Sequence, residues 1–150
     1  VLGYDLLKEL NIDYHVKQAA LSHHERCDGS GYPLGLKTNE IDDHAMIISI
    51  ADVYDAMTSA RKYRTPLCPF EVIAEFEKDG LSKYKPQYIL TFLEHIANAY
   101  QNNRILLNDG RSANIILLNS NHLSSPMIQL DDGTCLDLYR EPNLYIKSVV

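Results

Sequence analysis

Apolar positions recur at helical spacing through the first two-thirds of the chain and in short strand-like runs through the last third. Leu2, Leu6, Leu7 and Leu10 mark a short opening helix. Val16, Ala19, Ala20 and His23 fall on one face of a second helix, from about Tyr14 to Glu25, and a loop follows from Arg26 to about Ile41. Asp42 and Asp43 are N-cap candidates for a third helix, Ala45 to Met57. Met46, Ile47, Ile48, Ile50, Val53, Tyr54 and Met57 make that helix apolar almost all round, which predicts a buried central helix. A narrow stripe of Ser49, Asp52, Ala56 and Ser59 interrupts it and is suited to line a site.

Pro69 and Pro86 each stand where a first-turn proline opens a helix, with Val72, Ile73 and Phe76 facing inward in one and Ile89, Leu93, Ile96 and Tyr100 in the other. Beyond Arg104 the runs RILL, NIILL, MIQL and LYIKSVV alternate with turn signals at Asn108-Asp109-Gly110 and Asp132-Gly133. The predicted fold is mainly α, a helical domain over residues 1–102 followed by a small antiparallel β-rich appendage over 103–150.

Composition narrows the function classes. At 150 residues and 17.0 kDa the chain holds one ordinary domain or a domain with an appendage, and 45% hydrophobic content supports a real core. No apolar run reaches transmembrane length and the N-terminus lacks a signal-peptide layout, so no membrane partner is expected. A net charge of -6 argues against a nucleic-acid-coating protein, and no DNA partner is expected. Cys27, Cys68 and Cys135 are odd in number, widely spaced and without a CxxC pair, the usage of a reducing, cytoplasmic compartment.

Two clusters carry the chemistry. In HHERCDGSGYP, His23 and His24 stand side by side, and Gly29, Gly31 and Pro33 force an irregular loop directly after them. In ADVYDAMTSARKYR, Asp52 and Asp55 precede Arg61, Lys62 and Arg64. His and Asp side chains bind iron, manganese or zinc, and arginines three apart can grip phosphate oxygens with planar forks. Each cluster also has a plainer reading. The histidines suit one hydrogen-bonded and one solvated ring, Asp52 an ion pair with Arg26, and the basic run a solvated helix end. His15 and His44 are further histidines within reach of the same helices, as supplementary ligands.

The ordered pair of motifs, HHERCDGSGYP and then IADVYDAMTSARKYR, resembles the HD-GYP domain of the HD phosphohydrolase superfamily, over about Val1 to Tyr100. The resemblance implies an HD-type helical bundle that hydrolyses the bacterial second messenger cyclic di-GMP to linear pGpG, GMP or both. It implies divalent metal ions, iron or manganese, in a binuclear or trinuclear complete site, with His23, His24 and Asp52 as ligands. Arg61 and Arg64 would contact substrate phosphate. Gly29, Gly31, Tyr32 and Pro33 would shape the loop, which could also face a protein partner. Glu25 and Asp28 would hold that loop, and Asp55 would serve the metal surroundings or helix packing.

The family's HD dyad and its following lysine lie upstream of the segments matched here. The resemblance therefore implies a C-terminal share of the site, a catalytic pair not present in this chain, and no activity from it alone. Met46 and Lys62 also depart from the family pattern, which commonly has a basic residue and a proline at these positions. Three rivals follow: a non-catalytic module binding the dinucleotide or a protein, an HD hydrolase of another phosphate ester, and a marginal fragment. In the last, Leu6, Leu10 and Val16 would form an apolar patch prone to self-association, so a homo-oligomer is an expected partner state.

Overall fold

The computed structural model describes residues 2–60 and 65–150, so Arg61 and Arg64 lie outside the described residues. The helices are α1 (Leu2–Leu7), α2 (Tyr14–Ser22), α3 (Asp43–Thr58), α4 (Pro69–Lys83) and α5 (Pro86–Ala99). The strands are β1 (Arg104–Leu107), β2 (Ser112–Leu117), β3 (Met127–Leu130), β4 (Cys135–Asp137) and β5 (Ile146–Val149), with a short 3-10 turn at Leu138–Arg140. Mainly helical structure followed by an antiparallel sheet is thus the observed class. No helix among the described residues is long and apolar enough to cross a membrane.

Helix starts follow local chemistry. Asp13 caps α2 by accepting from the His15 N–H, and Asp42 caps α3 by accepting from those of His44 and Ala45. Ahead of α4, the Glu71 carboxylate reaches back to the Cys68 N–H at 2.8 Å, half of a capping box, and proline opens both α4 and α5.

Contacts divide the chain into two compact units that do not follow chain order. The first comprises Val1–Ala56 and Asp79–Leu90. Ala19, Ile41, Ala45 and Met46 form a buried cluster there, with Cys27, Leu36 and Tyr88 packed against it. α3 is not buried all round: Ala45, Met46, Ser49 and Ile50 are buried along one face, while Ile47 and Ile48 stay 48% and 45% exposed. The apolar perimeter of this helix is wider than the surface its own unit offers to cover it. Leu6, Leu10 and Val16 are likewise exposed, at 76%, 50% and 50%.

The second unit comprises Met57–Lys78 and Thr91–Val150. Its five-stranded sheet has the order β4-β3-β2-β1-β5, antiparallel throughout. Period-2 burial puts Ile105, Leu107, Ala113, Ile115 and Ile128 on one fully buried face. Register aligns Ile105 with Ala113, Ile115 with Ile128 and Leu107 with Ile146. The β1–β2 turn closes on Gly110 at φ 91°, where Asp109 accepts from the Arg111 N–H. Ile115 lies on a central strand with no exposed area. Ile115→Ala is expected to destabilise the fold by about 2–5 kcal/mol, read as a lower urea midpoint.

Candidate functional site

α2 ends at Ser22, and its C-cap residue is His23. The His23 N–H donates to the Ala19 carbonyl at 3.1 Å, and the ring Nδ1 lies 2.6 Å from that same oxygen. A carbonyl only accepts, so Nδ1 donates to it and Nε2 is the nitrogen left for a ligand. Histidines that hold metals commonly show this arrangement, because a carbonyl bond on one nitrogen fixes the tautomer and aims the other. The His24 ring packs against His23 with centroids 4.1 Å apart, and Tyr32 stacks on it at 4.7 Å and 27°. Burial, and then the neighbouring His23, push the His24 pKa below its ordinary value, while the charge of Asp52 pulls the other way. A neutral imidazole is the ligand form.

The loop behind the pair is organised around Glu25, 2% exposed. Its carboxylate accepts from the Leu34 N–H at 2.7 Å and the Leu36 N–H at 2.9 Å, so both oxygens are engaged with the loop. Gly31 passes so close that an added Cβ would lie 2.4 Å from Glu25 Cα and from the Arg26 nitrogen. Asp28 accepts from the Ser30 N–H and hydroxyl, and those bonds hold its carboxyl below the usual range. Gly29 takes φ 82°, and the Tyr32–Pro33 peptide is cis. Tyr32 and Leu34 are 60% and 61% exposed.

Arg26 does not form the ion pair with Asp52 that the plainer reading expected. Its guanidinium donates to the Glu25 carbonyl and the Ser49 hydroxyl, both at 2.8 Å, and lies over the Tyr84 ring. Ser49 is therefore buried and hydrogen-bonded, whereas Asp52 and Asp55 are exposed on α3. The donor set of two imidazoles and a carboxylate suits a divalent ion. Nevertheless, His23, His24 and Asp52 are not drawn together as tightly as a second group.

That second group is His15, Asp42 and His44, whose donor atoms lie within 4.8 Å of one another. The sequence offered His15 and His44 as supplements to the first cluster; instead they meet each other, at the opposite end of α2. A signal was present, since both capping aspartates, Asp13 and Asp42, are followed two residues on by a histidine.

Comparison with known proteins adds the ancestry. A family model described as "HD domain" matches residues 1–88. A cyclic di-GMP phosphodiesterase of Thermotoga maritima is 44% identical over 77 residues, 51% of this chain and 21% of the relative. A probable cyclic di-GMP phosphodiesterase of Vibrio cholerae is 43% identical over 77 residues, 51% of this chain and 18% of its own length. A 3'3'-cGAMP-specific phosphodiesterase of the same organism is 35% identical over 79 residues, 53% of this chain and 15% of its own. The chain thus spans about a fifth of the length of these relatives.

At Gly31 the atoms a side chain would meet are backbone, which cannot rotate aside. Gly31→Ala is expected to displace the loop and cost about 1–3 kcal/mol. Faster proteolytic cutting between residues 26 and 41, with a lower urea midpoint, is the measurement that checks it.

Proposed function

The chain belongs to the HD domain family, as an HD-GYP member, and from that premise we propose that it carries the C-terminal share of a metal-dependent phosphodiesterase site for cyclic di-GMP. The observation that carries this reading is the His23–His24 pair, with His23 Nδ1 engaged by the Ala19 carbonyl and the His24 pKa lowered by burial. HD domains as a class are metal-dependent phosphohydrolases. In this proposal His23, His24 and Asp52 hold the divalent ions, iron or manganese, and Arg61 and Arg64 bind the phosphates. When bound, the ions would supply Lewis acidity and would favour hydroxide over water near neutral pH.

The chain's own residues do the positioning. His23 is locked to the end of α2, His24 is held by Tyr32, and Glu25 fixes the loop from which Tyr32 projects. In the reaction, a water oxygen forms a bond to one phosphorus. The P–O bond to a ribose 3′-oxygen breaks, and that oxygen leaves with a proton to give pGpG. Repetition gives GMP. The exposed Tyr32 and Leu34 are the loop positions we assign to a protein partner. A cytoplasmic setting and the division at residues 102 and 103 belong to the same reading.

A second reading concerns substrate, because two relatives are named for 3'3'-cGAMP. Both cyclic dinucleotides are therefore supplied to the purified chain with Mn²⁺ or anaerobic Fe²⁺, and to a longer chain that includes an upstream HD dyad. The expected result is turnover of cyclic di-GMP by the longer chain, loss of at least 100-fold with His23→Ala/His24→Ala (about 3 kcal/mol by the tenfold-per-1.36 kcal/mol relation), and none from the 150-residue chain alone. Undiminished turnover in the double variant would remove the histidine pair from the mechanism.

A further inference from the structure

We propose that His15, Asp42 and His44 form a separate cation site, one that takes a borderline divalent ion of the zinc class and clamps the start of α2 to the start of α3. It involves none of the residues assigned to phosphodiester hydrolysis. Asp42 is already oriented by its role as a cap. Its Oδ1 accepts from the N–H groups of His44 at 2.9 Å and Ala45 at 3.4 Å. Oδ2 is turned toward His15, whose Nδ1 lies 2.7 Å away, and His44 Nδ1 lies 3.4 Å from Oδ1. The two imidazoles lie side by side, centroids 4.3 Å apart and inclined by 33°.

Distances decide what this group can hold. Ligands at about 2.0–2.2 Å around one tetrahedral ion sit roughly 3.3 Å from each other. Donor atoms already within 4.8 Å reach that spacing by side-chain rotation alone. The rotation is unhindered, because the His15 and His44 side chains are 48% and 60% exposed while the Asp42 carboxylate is 14% exposed. The ion replaces the proton now shared between His15 and Asp42, and water completes the shell.

Two helix N-termini converge here, and their positive ends oppose a cation. Asp13 and Asp42 sit at those same ends as caps, and Asp43 adds a third carboxylate, itself 3.0 Å from Lys85. Two imidazoles with one carboxylate favour zinc, nickel or copper over magnesium or calcium. Occupancy ties the helix that ends at His23 to the helix that bears Asp52, so the clamp is structural.

The test isolates this group from the first. In a His23→Ala/His24→Ala background, calorimetric titration with Zn²⁺ alone is expected to show one micromolar site. Adding His44→Ala should weaken it about tenfold or more. Binding no tighter than millimolar, or an affinity unmoved by both His44→Ala and His15→Ala, overturns the site. A measurement on the unsubstituted chain needs no variant to fold. Substoichiometric Ni²⁺ should broaden the ring proton resonances of His15 and His44 while those of His95 and His122 stay sharp, and equal broadening of all four overturns the proposal. Either failure leaves cyclic di-GMP turnover untouched, so the two proposals fail separately.

Discussion

The carboxylate of Glu25, buried and accepting two loop amides, is the contact on which the histidine pair depends. A buried carboxylate is costly unless its oxygens are satisfied, and here the Leu34 and Leu36 N–H groups satisfy them. That requirement draws the returning limb of the loop against residue 25 and leaves room there only for Gly31. Tyr32 then comes onto the His24 ring, and Arg26, turned the other way, distributes its donors over carbonyls and Ser49. One buried charge thus determines how the loop, the aromatic support and the imidazoles share a small volume.

Where local chemistry decides, the sequence was readable. Proline opens α4 and α5 at the expected residues, Asp42 caps α3, and the turn glycines Gly110 and Gly133 take positive φ between strands. β4 escaped notice because three residues are too few for a period of two to register. The family motif marks the histidine pair, but it says nothing about which nitrogen carries the proton.

What the pattern could not supply was the supply of covering surface. Ile47 and Ile48 belong to a helix whose composition predicts burial on every side, yet composition does not count the neighbours available to bury it. The same limit applies to Asp52: the oiliness of α3 predicts a buried setting for it, whereas its position is exposed. Long-range meetings were also hidden. His15 and His44 are far apart in sequence, and only the approach of two helix starts brings them to one carboxylate.

The two histidine groups engage their Nδ1 atoms differently: in the first that nitrogen is spent on a carbonyl and Nε2 is left over, whereas in the second Nδ1 is itself the atom on the carboxylate. His23 is held through a backbone carbonyl on its own helix; His15 is held through a carboxylate from another. The first arrangement survives any side-chain change nearby, whereas the second is only as durable as a single aspartate.

The close approach at Gly31 has a consequence for how this sequence can drift. A crowded side chain can be relieved by trimming its neighbour, so most core positions vary in compensating pairs. Here the neighbours are the Cα and carbonyl carbon of Glu25 and the nitrogen of Arg26, atoms that every residue possesses. No second-site replacement can shorten them. Position 31 is therefore closed to suppressors, and a lineage that loses this glycine can recover the loop only by reverting or by changing the loop's length.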